Sequence, residues 1–145
     1  MISVNNLTKN KVSAVFLKKV AKIVLKGENI RTSSLRSKIK KDKDLSIVLI
    51  GPTKIKELNQ KYRKKNQTTN VLSFEGGKDF LGEIVICPNI IKKNAANLKS
   101  NFKKELTFVL IHGLLHLLGY DHERSKKEAE IMDKKTRKHL FKINF

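Results

Sequence analysis

Acidic residues are scarce in this chain. Thirteen Asp and Glu stand against 32 Lys and Arg over 145 residues, a formal charge of +19 with histidine neutral. A surplus of that size favours a polyanionic partner, nucleic acid before membrane, and no strongly amphipathic basic helix stands out as a membrane anchor. Twenty-seven of the basic residues are lysine, and Asn and Ile are plentiful, so the codon usage of an AT-rich genome is a competing source of the same charge. Cysteine is nearly absent. Cys87 is alone, which excludes an internal disulfide, fits a reducing cytoplasm and reads as a small buried apolar residue. Tryptophan is missing, and seven Phe and two Tyr are too few for a broad stacking platform. Binding of a nucleic acid is therefore expected to follow charge and shape more than base identity. Long hydrophobic runs are absent too. The longest, Leu106 to Leu118, is too short to span a bilayer and carries two histidines. No apolar leader opens the sequence, so a cytoplasmic location is expected. With 39% apolar and 31% charged residues, and no repeat, linker or low-complexity tract, residues 1–145 read as a single domain.

Periodicity gives the elements in order. Met1 to Val4 alternates as an edge strand. Val12 to Lys26 reads as a helix, with Val12, Val15, Phe16, Lys19 and Ile23 at helical spacing, Val20 and Val24 beside them, and Gly27 as its stop. Ile30 to Lys43 is basic and polar, a solvated loop with at most a short turn of helix. Leu45 to Ile50 is a buried strand ended by Gly51-Pro52, and Thr53 can cap a helix reaching about Tyr62, with Ile55 and Leu58 inward. After a basic loop, Thr68–Phe74 and Phe80–Cys87 read as two strands turned at Gly76-Gly77 into a hairpin. Asn89 to Leu98 is a short helix. Ser100 or Asn101 can cap a central helix through Leu118, apolar almost all round from Leu106 and hence buried. A last helix, about Lys126 to Phe141, turns Ala129, Met132, Thr136 and Leu140 inward; His139, on a lysine-rich turn, reads as surface. The sum is an α+β domain, a small mixed sheet of about four strands packed with about five helices.

The chain is organised around His112-Gly113-Leu114-Leu115-His116-Leu117-Leu118-Gly119-Tyr120-Asp121-His122, which holds three of its four histidines. His112 and His116 lie four residues apart, one turn apart on one helix face. Gly119 tolerates the left-handed backbone that ends helices, so the chain can turn and bring His122 over that face. A single histidine on an apolar helix is commonly core. Three in this pattern point to a metal, and three nitrogen ligands leave a tetrahedral zinc the open position of a catalytic site. Zinc peptidases with this spacing carry a glutamate base after the first histidine. Here Gly113 stands there and can move no proton. Asp121 is a candidate for that work, or for an acceptor that holds His122 or the turn.

These residues resemble the signature of the bacterial YbeY family, metal-dependent endoribonucleases linked to ribosomal RNA maturation. Asn59, Tyr62-Arg63 and Thr69-Asn70-Val71-Leu72-Ser73-Phe74 resemble a second block of that family, and Leu81-Gly82-Glu83-Ile84-Val85-Ile86 a third. Two residues depart from the pattern. Asn70 stands where the family usually has Asp, and Glu83 where it often has Asp. The resemblance implies a single-strand-specific endoribonuclease acting in 16S 3′-end maturation and ribosome quality control, with the small ribosomal subunit as partner and no DNA or membrane. It implies one zinc ion, or another divalent transition metal, on His112, His116 and His122 on the buried central helix and the turn after it. It implies that Arg63, a guanidinium suited to gripping phosphate with two parallel bonds, stabilises the scissile phosphate while the metal activates water or the phosphate itself. Two other classes stay open. One is a zinc hydrolase of a peptide or amide, which Gly113 disfavours. The other is a non-catalytic RNA-binding assembly factor with a structural metal, for which Asp121 is the nearest fourth ligand.

Overall fold

The computed structural model describes residues 1–40 and 43–145, with residues 29–40 described by backbone alone. Its elements are β1 (Ile2–Asn6), α1 (Ala14–Lys40), β2 (Asp44–Leu49), α2 (Pro52–Arg63), β3 (Val71–Glu75), β4 (Phe80–Ile86), α3 (Pro88–Asn97), α4 (Phe102–Leu117) and α5 (Lys126–Phe141). The strands form one mixed sheet in the order β1-β2-β4-β3. β1 and β4 flank β2 in parallel, and β3 runs antiparallel to β4, with Val71 opposite Ile86 and Glu75 opposite Gly82. The expected hairpin and edge strand are both present.

Alternation decides which side of the sheet each residue serves. Leu45, Ile47 and Leu49 of β2 and Ile84 and Ile86 of β4 point to one face, where α1, α4 and α5 cover them and form the larger core. Val48 and Val85 point to the other, where Ile55 and Leu58 of α2 close a smaller cluster with Leu72 and Cys87. The α4 helix is buried because its sequence is apolar on nearly every side; Leu110, Ile111, Leu114 and Leu115 have no exposed surface. Its first turn is capped as expected, the Asn101 side chain accepting from the Lys104 N–H at 2.8 Å.

Several expectations are corrected. Gly27 does not end α1, which continues to Lys40 through most of the stretch read as a loop; residues 41 and 42 lie outside the described residues. The inward face of α1 is Leu17, Val20, Ala21 and Val24, with Phe16 and Ile23 at its edge, while Val15 points to solvent. Lysines on both flanks blurred that face. The α2 helix starts at Gly51 with Pro52 in its first turn, not at Thr53, because proline's fixed φ suits the first helical position. His139 is buried, not superficial. It falls on the same inward stripe as Met132 and Thr136. Among the described residues no helix is long and apolar enough to cross a membrane.

Candidate active site

Between Leu106 and Leu117, α4 is buried at every position except Phe108, His112 and His116, which recur every fourth residue and open to one side. Gly113 shows why the neighbouring position has no side chain. A Cβ there would stand 3.1 Å from Ile84 Cγ2, 3.2 Å from Ser73 Oγ and 3.4 Å from Val71 Cγ2. The helix backbone is seated on β3 and β4 at this point, and the Ser73 hydroxyl donates to the Gly113 carbonyl at 3.1 Å.

The end of α4 then turns the chain. Gly119 has φ +102°, its N–H donates to the His116 carbonyl, and the Tyr120 N–H reaches back to the Leu115 carbonyl, each at 3.1 Å. That is a Schellman ending, with glycine at the left-handed position. It folds His122 back over the helix. Ring centres lie 5.0 Å apart for His112 and His122, 5.6 Å for His116 and His122, and 6.2 Å for His112 and His116. Imidazoles sharing one tetrahedral ion, with metal–nitrogen bonds of about 2.0–2.1 Å, place their centres roughly 5 Å apart. The His112–His122 and His116–His122 pairs come near that spacing, and the His112–His116 pair stands wider. Among the described residues, the group whose ligand atoms all lie within 4.8 Å of one another is His116, Asp121 and His122, and His112 stands outside it.

Electrostatics suit ligation. The pKa of His112 is lowered to about 4, first by burial and then by the charges of His122 and His116, so it is neutral and able to ligate at physiological pH. Asp121 is held below the usual carboxylate pKa, chiefly by the Glu123 N–H that it accepts at 2.9 Å; burial opposes this, and His116, Arg124 and His122 assist.

Arg63, at the C-terminal end of α2, faces the same cleft of about 320 Å³. Glu123 sits between the two halves, with Oε1 at 3.8 Å from Arg63 Nη2 and 4.0 Å from His122 Nε2. Beyond Arg63 the loop is pinned. The buried Asn59 side chain donates to the Gln67 carbonyl at 2.9 Å, and the Cys87 N–H donates to the Asn70 carbonyl at 2.9 Å. Asn70 lines the cleft.

Behind the His122 turn lies a buried polar group that the sequence reading missed. The Tyr120 hydroxyl donates to Glu28 Oε1 at 2.8 Å, His139 Nε2 lies 2.7 Å from Glu28 Oε2, and Lys135 Nζ lies 3.5 Å from Glu28 Oε1. His139 takes the space of a missing side chain, since a Cβ on Gly27 would stand 2.9 Å from its Cε1. The signals were Gly27 inside a helix and the inward spacing of His139. Glu123 could have been found by its adjacency to His122.

A family model described as Endoribonuclease YbeY matches residues 3–144. The chain is 39% identical over 130 residues to the Endoribonuclease YbeY of Thermodesulfovibrio yellowstonii, covering 86% of this chain and 82% of that one. It is 36% identical over 136 residues to the Endoribonuclease YbeY of Buchnera aphidicola, covering 90% and 79%. The solution structure of TM1509 from Thermotoga maritima superposes with a TM-score of 0.63 at 33% identity, covering 97% of this chain and 87% of that one. With nearly every residue matched, from β1 to the end of the chain, the protein belongs to the YbeY family.

Proposed function

We propose that the chain is a metal-dependent endoribonuclease of single-stranded RNA. In this reading it acts in the cytoplasm on ribosomal RNA, in 16S 3′-end maturation and ribosome quality control, with the small ribosomal subunit as partner. The observation that carries the reading is the convergence of three imidazoles beside Arg63 in one cleft of a basic protein. The names of its relatives support it.

His112, His116 and His122 would hold the ion, zinc in the simplest case. A divalent ion there supplies Lewis acidity to a phosphoryl oxygen and acidifies water. Arg63 grips the scissile phosphate and holds the charge that grows on it. To do so it exchanges Glu123 for phosphate, a cheap exchange because both side chains are partly exposed and surface pairs contribute little. Lys65 in the cleft wall, with exposed Lys61 and Lys64 nearby, holds flanking phosphates and makes binding fall with salt.

The grouping of Asp121 with His116 and His122 favours a second reading. There Asp121 closes the ion's coordination, the metal is structural, and the protein binds RNA as an assembly factor without cutting it.

One experiment separates them. Protein of determined metal content is incubated with labelled single-stranded RNA, running parent, chelated parent, His116→Ala and Arg63→Ala together. The endonuclease reading expects cleavage by the metal-loaded parent alone. It expects His116→Ala to lose metal and cleavage together, and Arg63→Ala to keep metal and fold while losing roughly 10²–10³ in rate. Tight binding with metal present and no cleavage selects the assembly factor. A His116→Ala variant with parental metal affinity refutes the site.

A further inference from the structure

Phe108 is half-buried on α4 and lines the cleft. It continues the open stripe of His112 and His116 one turn earlier, on the order of 6 Å along the helix axis. Unlike Phe16, Phe74 and Phe102, it packs into neither hydrophobic cluster. Phe108 lines the cleft with the three imidazoles, and Asn70 and Gln67 line the same cleft. Both of those residues have their main-chain carbonyls tied down, by the Cys87 N–H and by the Asn59 side chain. Neither side-chain amide has a hydrogen-bond partner among the described residues. Two unused amides on an anchored backbone, in one cleft with a half-buried aromatic ring, are the parts of a base-recognition site. A ring takes the face of a base, and an amide, with one donor and one acceptor, matches an edge.

We infer that the cleft contains a nucleobase subsite next to the three histidines, in which Phe108 stacks on a base of the RNA and the Asn70 and Gln67 amides read its edge. Its first choice is adenine, because an Asn or Gln amide pairs with N6–H and N7 by two parallel bonds. The volume, about 320 Å³, is at the small end of ligand pockets and suits one nucleotide, not a stacked run. Arg63 and Lys65 in the same cleft match the phosphates on either side. This deepens the endoribonuclease reading and rests on it. It also refines the expectation that binding follows charge and shape more than base identity: one well-placed ring is enough for one position.

The test has two arms. In the first, short single-stranded RNAs differing at one base around the cleavage site are cut by parent, Asn70→Asp, Asn70→Ala and Phe108→Leu, and relative kcat/KM is read across the four bases. The ratio between bases cancels any general loss from the added Asp charge. In the second, the four nucleoside 5′-monophosphates are titrated onto the same uncut proteins, and thermal unfolding of each variant confirms its fold. The expected result is an adenine preference of about tenfold in the parent. Asn70→Asp, which has lost its donor, abolishes it, and Phe108→Leu weakens nucleotide binding about tenfold. Adenosine monophosphate bound in an Asn70-dependent way by a protein that never cuts RNA would keep the subsite and sink the endoribonuclease reading. Cleavage without base preference, or a preference unchanged in Asn70→Asp and Phe108→Leu, would overturn the subsite and leave the nuclease standing.

Discussion

Replacing Gly113 by glutamate, the residue a zinc peptidase carries at that place, is expected to unfold this protein without making it a peptidase. The position is buried, and even a Cβ would meet Ile84, Ser73 and Val71 at 3.1–3.4 Å. The smallest change is Gly113→Ala. It gains about 1 kcal/mol of helix propensity. Shifting the Ile84 methyl and the Ser73 hydroxyl by a few tenths of an ångström offsets that gain, so the net change lies within about 1 kcal/mol, or about 4 °C in Tm for a chain of this size. Glutamate adds a methylene and a carboxylate, four heavy atoms, beyond the Cβ. Overpacking costs about 1–3 kcal/mol, and burying an unpaired charge adds several more. The sum of about 5 kcal/mol or more matches the whole stability of many domains. Thermal unfolding by circular dichroism of parent, Gly113→Ala and Gly113→Glu, purified in parallel, measures this. A Gly113→Glu protein melting within a few degrees of the parent would show that α4 does not rest on β3 and β4 at Gly113.

The metal-free protein should lose stability as pH falls from 6.5 towards 4. Unfolded, His112 takes a proton near 6.5; folded, it resists to about 4, so across that window the unfolded state binds more protons and is favoured. Urea midpoints of parent and His112→Asn at pH 7, 5.5 and 4.5 check this, and equal slopes for the two would refute it. Glu28→Ala removes the carboxylate that the buried His139 ring and the Tyr120 hydroxyl meet, and is expected to cost about 3–5 kcal/mol in urea unfolding. A loss under about 1 kcal/mol would mean that the group is not closed as described.

The convergence of the three histidines was legible because every determinant is local: a four-residue spacing on one helix, a glycine that allows a left-handed turn, and a third histidine just past it. The sheet was legible in outline, since β-branched runs and Gly or Pro punctuation mark strands whatever their partners. Interactions across long separations were not legible. His139 meets a carboxylate 111 residues away, and on local composition it is one more residue in a lysine-rich turn. Gly27 misled for the same reason. As a local signal it stops a helix; in the fold it makes room for that imidazole. Phe108 escaped notice because a phenylalanine on an apolar helix looks like core until the exposure pattern separates it.

The Glu28 group also bears on the order in which the fold is completed during synthesis. Tyr120 is translated 92 residues after Glu28, and His139 111 residues after it. Until α5 has left the ribosome and docked, the Glu28 carboxylate lacks its imidazole, and the turn that carries His122 lacks a finished anchor. The turn that places His122 is local to α4, but the carboxylate group behind it is complete only once a segment made much later has folded against α1.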